Sequence, residues 1–425
     1  MFGDQTPYGD PGWYQGSVSP YYTATHEEWR VRCRSFVESR ILPYVSEWEA
    51  RKEIIDRKEV AADCAKAGLL ACVAGKNAYD FLPENSKKPE NFDYFHELIF
   101  IDELARCASG GVLWGLIEGL QIGLPPILNF GSNFLKSKVA KDCLNGSKSI
   151  CLAITEASAG SDVGAITTSA VRDENRKIFI LNGSKKWITN GIFADFFTVA
   201  VKIIGNDKSN ANSISLLLVE KSMKGISARR MECQGVWSSG TSFIEFENVE
   251  VPFANLIGTQ GEGFKYIMKN FNHERWGFVV QANRFARVCL EESIKYAMKR
   301  KTFGKILMDH EVIRWKIAEM TRQVEATHAW LEHITYQMCV LPHDEAMTDL
   351  AGPISLMKAH STKVFEYCAR EASQIFGGNA YTRSGLGEKI ERLYRDVRAY
   401  AIPGGSEEIL LDLGVRQAIK RINKL

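Results

Sequence analysis

The feature that most constrains this chain is a block of short strand-like runs with no helical pattern between them. The runs are 149–154, 177–182, 197–203, 213–220 and 242–246, and each is rich in Val, Ile, Leu and Phe. Turn dipeptides separate them: Asn182-Gly183, Asn190-Gly191 and Gly205-Asn206. Parallel strands need a crossover of a dozen residues or more, usually a helix. Strands spaced this closely therefore predict an antiparallel barrel or sandwich, not a parallel dinucleotide-binding sheet. Val251-Pro252 closes the block.

Helical spacing rules on both sides of it. Residues 1–22 read as an irregular N-terminal arm. From Thr23 or Thr25, with Glu27 and Glu28 in the first turn, helices run through an α-domain over 23–147. The β-domain occupies 148–258. A C-terminal bundle over 259–425 shows four long patterns, at about 263–300, 311–339, 353–376 and 407–421. The fold class is α+β: an all-α N-terminal domain, a middle antiparallel β-barrel or sandwich, and a C-terminal four-helix bundle.

Several function classes drop out. Net charge is +2, so no basic surface for nucleic acid is indicated. The most apolar stretch, 113–130, is broken by Glu118, Gln121, two prolines and Asn129, so no membrane span is expected. The ten cysteines form no Cys-x-x-Cys pair and the eight histidines form no compact ligand cluster, so no metal is expected. P-loop, Gly-x-Gly-x-x-Gly, Gly-x-Ser-x-Gly and His-Glu-x-x-His motifs are absent. The first arginine is Arg30, unlike an Arg-rich transit peptide. The ending Asn423-Lys424-Leu425 approaches a peroxisomal address, so an intracellular setting, cytoplasmic or peroxisomal, is expected.

Six stretches can carry chemistry. Ile154-Thr155-Glu156-Ala157-Ser158-Ala159-Gly160-Ser161-Asp162 leaves a strand with hydroxyls and small residues, suited to an anion or a polar ring edge, or to an ordinary loop. Trp187, Thr189 and Asn190 set a flat ring and a hydroxyl beside a turn, for stacking on a planar group or for the core. Arg300-Lys301-Thr302-Phe303-Gly304 ends a long helix with cations that either cap its dipole or hold a pyrophosphate. Gln374 to Asn379 and Ile402 to Glu408 carry paired glycines, for close backbone approach or for caps. In Phe271-Asn272-His273-Glu274-Arg275-Trp276, Glu274 is either a solvated or ion-paired face residue or a general base made stronger by burial.

In this order and at these separations, the stretches resemble the acyl-CoA dehydrogenase flavoprotein family, over nearly the whole chain. The resemblance implies FAD, an acyl-CoA substrate, an electron-transfer flavoprotein or oxygen as electron acceptor, and a homotetramer or homodimer with FAD at subunit interfaces. It places Leu152, Ile154 and Thr155 at the flavin pyrimidine, and Ser161 at the pyrophosphate and the CoA arm. Trp187 and Thr189 match the pair packed on the ring. Arg300, Thr302, Phe303, Gln374 and Gly378 match residues reaching the adenine half of a neighbouring subunit's FAD, and Ser406 and Glu408 match further cofactor contacts. Asn272, Arg275, Ser161 and Gly404 fall on the substrate side.

The implied reaction removes the proton α to a thioester carbonyl while flavin N5 takes hydride from the β carbon. The carbonyl oxygen must be stabilised as charge develops, and the backbone N–H of Gly404 is the implied donor. Many members carry their base in a Tyr-Glu-Gly-Thr run, but the matching run here is Pro403-Gly404-Gly405-Ser406. Long-chain and isovaleryl members place the carboxylate directly before an Arg on the long helix, which is Glu274 here. Ala157, Trp237 and Glu311 depart from commoner family residues. The alternatives are a flavin oxidase, a nitroalkane-oxidising relative, or a catalytically silent acyl-CoA-binding homologue. Glycine at 404 counts against the nitroalkane reading, and the presence of Glu274, Thr155, Thr189 and Arg300 counts against the silent one.

Overall fold

A computed structural model describes residues 2–75, 77–83, 86–204 and 213–422. The Gly205-Asn206 turn and the Asn423-Lys424-Leu425 ending lie outside them. The chain forms two compact units, each assembled from separated stretches. One comprises Met1–Val37, Asp93–Gly110 and Arg275–Leu425; the other comprises Glu38–Phe92 and Gly111–Glu274. The division falls inside the long helix, between Glu274 and Arg275.

The second unit is built on a sheet of eight strands among the described residues: β1 Ile150–Ala153, β2 Ser169–Asp173, β3 Ile178–Ile188, β4 Phe196–Ile204, β5 Ile214–Glu220, β6 Ile226–Arg230, β7 Ser242–Pro252 and β8 Leu256–Ile257. Five of these were expected. β2 and β6 were missed because Arg172, Asp173, Arg229 and Arg230 dilute their apolar content, and β8 is two residues long. The order is β6-β7-β3-β2-β4-β5-β8, with β1 also on β4. The sheet is mixed, which corrects the antiparallel expectation: β1 and β2 both run parallel to β4. They share one edge of it, β1 along Phe196–Val199 and β2 along Lys202–Ile204. Spacing could not reveal this, because the chain enters β4 from β3 by crossing past β2. Phe179, Leu181, Phe197, Val199, Leu217, Val219, Ile244 and Val251 form the buried core.

Helices α2 Val45–Arg51, α3 Arg57–Lys66 and α8 Asn133–Leu144 belong to the same unit. So does most of the helical run Gly110–Phe130 (α5 Gly110–Leu113, α6 Gly119–Gly123 and α7 Pro125–Phe130), long and apolar enough to cross a membrane by length and composition, yet 94% buried over its most apolar window. Trp114–Glu118 in this run is a π-turn with a visible cause. Arg57 Nε donates to Gly115 O at 2.6 Å, and Asn190 Oδ1 accepts from Gly119 N at 2.9 Å. Each side chain takes one half of the α-helical Gly119-to-Gly115 bond, so the ladder opens there.

The first unit is helical: α1 Ala24–Arg40 up to Val37, α4 Tyr94–Ala105, α9 Gly263–Lys299 from Arg275 onward, α10 Glu311–Val340, α11 His343–Asp349, α12 Ala351–Phe376, α13 Glu388–Ala401 and α14 Glu407–Ile422. The four expected helices are present. α13 was not anticipated: its apolar stripe of Ile390, Leu393, Val397 and Tyr400 is interleaved with Arg392 and Asp396, which are also buried. Asp396 accepts from Gly110 N at 3.0 Å and Arg392 donates to Ala108 O at 2.6 Å. The stretch read as an irregular arm contains a single 3-10 turn, Gly12–Gln15, and is firmly held. The Arg30 guanidinium lies 4.1 Å from the Phe2 ring centroid and 4.4 Å from that of Trp13, and Asp10 is buried between Arg34 and Arg284.

Candidate active site

In the sheet-bearing unit, two predicted stretches come together. β1 delivers Leu152 and then Ile154 and Thr155, the first two buried and Thr155 half-buried. The chain then turns tightly, with Glu156 and Ala159 bonded to each other through their backbones. Lys186 N donates to Thr155 O at 2.9 Å, so β3 grips the end of this stretch directly. Ser161 is exposed beyond the turn.

β3 changes facing just where it meets that grip. Lys185 pairs with Ile244 and Ile188 with Ser242, so three steps on β3 match two on β7. The extra residue is a β-bulge, which re-aims side chains. Trp187 sits in it at φ 59°, and the residue is 49% exposed instead of packed in the core. A bulky residue at positive φ is uncommon and marks a constrained position. Thr189 is half-buried. Asn190 is buried, with Nδ2 donating to Trp114 O at 2.9 Å and Ser239 O at 2.8 Å. Asn190 thus fastens the Trp187–Thr189 stretch to the π-turn. On α9, Asn272 and Glu274 are buried, the latter 7% exposed, and Asn270 Nδ2 donates to Ile122 O at 3.1 Å.

In the helical unit, Arg275 Nε donates to Gly404 O at 2.8 Å. Gly404 and Gly405 hold φ of 67° and 104°, the left-handed region glycine tolerates. The buried Lys358 ammonium donates to Gly405 O at 2.9 Å and to Ala401 O at 3.3 Å. The loop is therefore tied by two cations, Arg275 at the Gly404 carbonyl and Lys358 at the carbonyls of Ala401 and Gly405. Lys358 was missed in sequence because it lies within an otherwise apolar stripe. Glu408 is exposed, and hydrogen bonds from its own N–H and from the Ser406 side chain lower the pKa of its carboxyl. Glu407 accepts from Thr362 Oγ1 at 2.7 Å.

Farther along, Lys301–Thr302 and Lys305–Ile306 form a two-stranded hairpin whose turn residues Phe303 and Gly304 both have positive φ. Thr302 Oγ1 lies 3.0 Å from His310 Nε2, Arg300 is exposed, and Phe303 is 96% exposed. Gln374 and Gly378 are exposed at the end of α12. A Cβ on Gly304, Gly377 or Gly378 would meet nothing within 4 Å. Elsewhere in this unit, His26, Asp93 and His96 converge, with Asp93 Oδ1 3.0 Å from His26 Nε2 and 2.9 Å from His96 Nδ1. The same oxygen accepts from Phe95 N at 3.0 Å, so the cluster is accounted for as the capping box that starts α4.

Comparison with known proteins fits this arrangement. Profiles described as acyl-CoA dehydrogenase N-terminal, middle and C-terminal domains match residues 23–147, 151–249 and 261–419. The chain belongs to the acyl-CoA dehydrogenase family. An acyl-CoA dehydrogenase of Emericella nidulans, apdG, is 40% identical, with 97% of this chain and 95% of that protein covered. A crystal structure of a probable acyl-CoA dehydrogenase from Mycobacterium abscessus superposes with a TM-score of 0.82 at 32% identity, covering 94% of this chain and 100% of that one. An acyl-CoA dehydrogenase complexed with FAD from Bacillus anthracis gives a TM-score of 0.84 at 25% identity, covering 96% of this chain and 69% of that one.

The activity is FAD-dependent dehydrogenation of an acyl-CoA, and the helical, sheet and helical order read from the sequence is the fold of this family. The names of the relatives favour dehydrogenation over the oxidase, nitroalkane and silent alternatives. The residues present fit FAD: an indole turned outward by a bulge offers a face for a planar ring, and open space beside Gly160 leaves backbone approachable.

Proposed function

We propose that Glu274 is the base that removes the α-proton of the acyl-CoA, in the placement of the long-chain and isovaleryl-type members. The burial of its carboxylate carries this reading, because 7% exposure removes the alternative of a solvated helix face. Burial disfavours the charged form of a carboxylate, which suits a group that must take a weakly acidic proton. FAD, when bound, supplies the hydride acceptor. Leu152, Ile154, Thr155, Trp187 and Thr189 are assigned to its ring, and Ser161 to the pyrophosphate and CoA side. The Gly404 N–H is assigned to the thioester oxygen, and Asn272 to the substrate. Arg275 is assigned to holding the Gly404 loop, since its Nε is committed to that carbonyl; this displaces the expectation that it meets CoA.

Arg300, Thr302, Phe303, Gln374 and Gly378 are assigned to a neighbouring subunit's FAD, and Ser406 and Glu408 to further cofactor contacts, within a homotetramer that passes electrons to an electron-transfer flavoprotein. The nearly bare Phe303 side chain at the tip of its hairpin supports this. Sedimentation velocity tests the assembly, and a monomer carrying full FAD refutes it.

The test of the base is Glu274→Gln. The variant should hold FAD and stay yellow under anaerobic acyl-CoA, whereas the wild type bleaches. Bleaching of the variant at the wild-type rate refutes the assignment.

A further inference from the structure

The flavin-side stretches are joined by a buried ion pair to which no role has yet been given. Lys185, wholly buried in β3, donates from Nζ to the Ile154 carbonyl at 2.7 Å and to Glu156 Oε1 at 2.9 Å. Glu156, 4% exposed, also accepts from Thr168 N at 2.9 Å, and from Thr167 N and Thr167 Oγ1, both at 2.7 Å. The carboxylate is thus fully engaged on both oxygens. Burying two charges has a large desolvation cost, and a well-packed apolar pair would often serve stability equally well. Such a pair is informative where the geometry it enforces matters. Here it fixes the carbonyl of Ile154, one residue before Thr155, and lies next to Lys186, whose N–H grips the Thr155 carbonyl. It also fixes β3 one residue before the bulge that turns Trp187 outward.

We propose that Lys185 is a positioning residue for FAD: with Glu156 it locks the Ile154–Thr155 backbone against β3, so that Thr155 and Trp187 present one preformed surface to the flavin ring. The inference rests on the reading that these two stretches flank the ring. It explains why the bond partners of Lys185 are a strand-end carbonyl and a turn carboxylate, both on the Thr155 stretch. Preorganisation of this kind acts on ligand affinity by removing the cost of ordering the site during binding.

The test uses purified full chain and three variants, Lys185→Met, Glu156→Gln and the double substitution. Thermal midpoints are measured with and without FAD, together with the FAD dissociation constant, the visible band and the reduction potential of bound flavin. Lys185→Met strands the Glu156 charge and should lose stability. The double variant removes both charges and should recover part of it, since Glu156→Gln keeps only one of the two acceptor oxygens that Thr167 and Thr168 use. FAD affinity should fall about tenfold or more in both, because neither supplies a donor to the Ile154 carbonyl. In both, the visible band and potential of the flavin that remains bound should shift. A double variant that recovers stability and binds FAD with wild-type affinity and potential overturns the proposal, leaving the pair a structural one. A double variant that cannot fold overturns it too, by showing that the pair is needed for the sheet itself. A wild-type chain that takes up no FAD refutes the underlying reading instead, so the two failures are distinct.

Discussion

Replacing Asp10 with Asn tests how the N-terminal stretch is held. Asp10 is 2% exposed and sits between two buried arginines. Its Oδ1 accepts from Arg284 Nη1 at 3.0 Å and from Arg34 Nη2 at 3.1 Å, and its Oδ2 accepts from Arg34 Nη1 at 3.2 Å and Asp4 N at 2.8 Å. Breaking a buried pair by removing one partner costs about 3–5 kcal/mol. Each arginine here keeps another carboxylate: Arg284 keeps Asp102, and Arg34 keeps Glu103 at 2.8 and 2.9 Å. The lower end, about 3 kcal/mol, therefore applies. At about 2 °C per kcal/mol for a protein of this size, the midpoint should fall by roughly 6 °C at neutral pH. The pH dependence follows from the carboxyl. Burial pushes its pKa up, but Arg284 and Arg34 outweigh that and hold it well below the usual carboxylate range. A group depressed in the folded state adds stability above its unfolded pKa of about 3.9, and loses it as pH falls from there toward the folded value. The gap between wild type and Asp10→Asn should therefore be full at neutral pH and narrow below about pH 4. Thermal melts followed by circular dichroism from pH 7 to pH 3 measure this. A neutral-pH difference under about 2 °C, or one that does not change with pH, refutes the reasoning.

Two further substitutions probe the site. Gly119→Ala would set a Cβ 2.3 Å from both Asn190 Oδ1 and Ile150 O; overpacking of about 1–3 kcal/mol or more should lower the urea midpoint, and an unchanged midpoint counts against the wedge that opens the π-turn. Arg275→Met should lower kcat about tenfold or more with KM little changed, by loosening the Gly404 loop; a raised KM with kcat intact would return Arg275 to the CoA side.

The helical and strand blocks were legible because their periods differ, and because each long helix keeps a largely apolar stripe despite buried polar residues such as Arg284 and Lys358. The fold was misread where charge is buried or where pairing is remote. Arg392 and Asp396 hid α13 by meeting backbone at Ala108 and Gly110, groups no local pattern reveals. The parallel pairing of β1 and β2 with β4 depends on which edge is free once the sheet forms. Among the site stretches, Thr155, Trp187, Glu274 and Gly404 were visible, but the supports Lys185 and Lys358, and the tie Asn190 makes to Trp114, were not. A charged residue on an inward strand position is the one signal that marks Lys185: it lies at even steps along β3 from the buried Phe179 and Leu181.

That same alternation explains why the role of Trp187 was undecided from sequence. Counting on by two from Lys185 sends Trp187 inward as well, which is the core reading an indole in a strand invites. The bulge breaks the count, so Lys185 and Ile188 are buried while Trp187 faces out. What creates the extra residue is the register with Ile244 and Ser242 on β7, more than fifty residues along the chain. Lys185 in turn stays inward because Ile154 and Glu156 offer it partners. The exposure of the indole is therefore a property of three remote segments pairing together, and a regular β3 would have the Thr155 stretch without an aromatic face beside it.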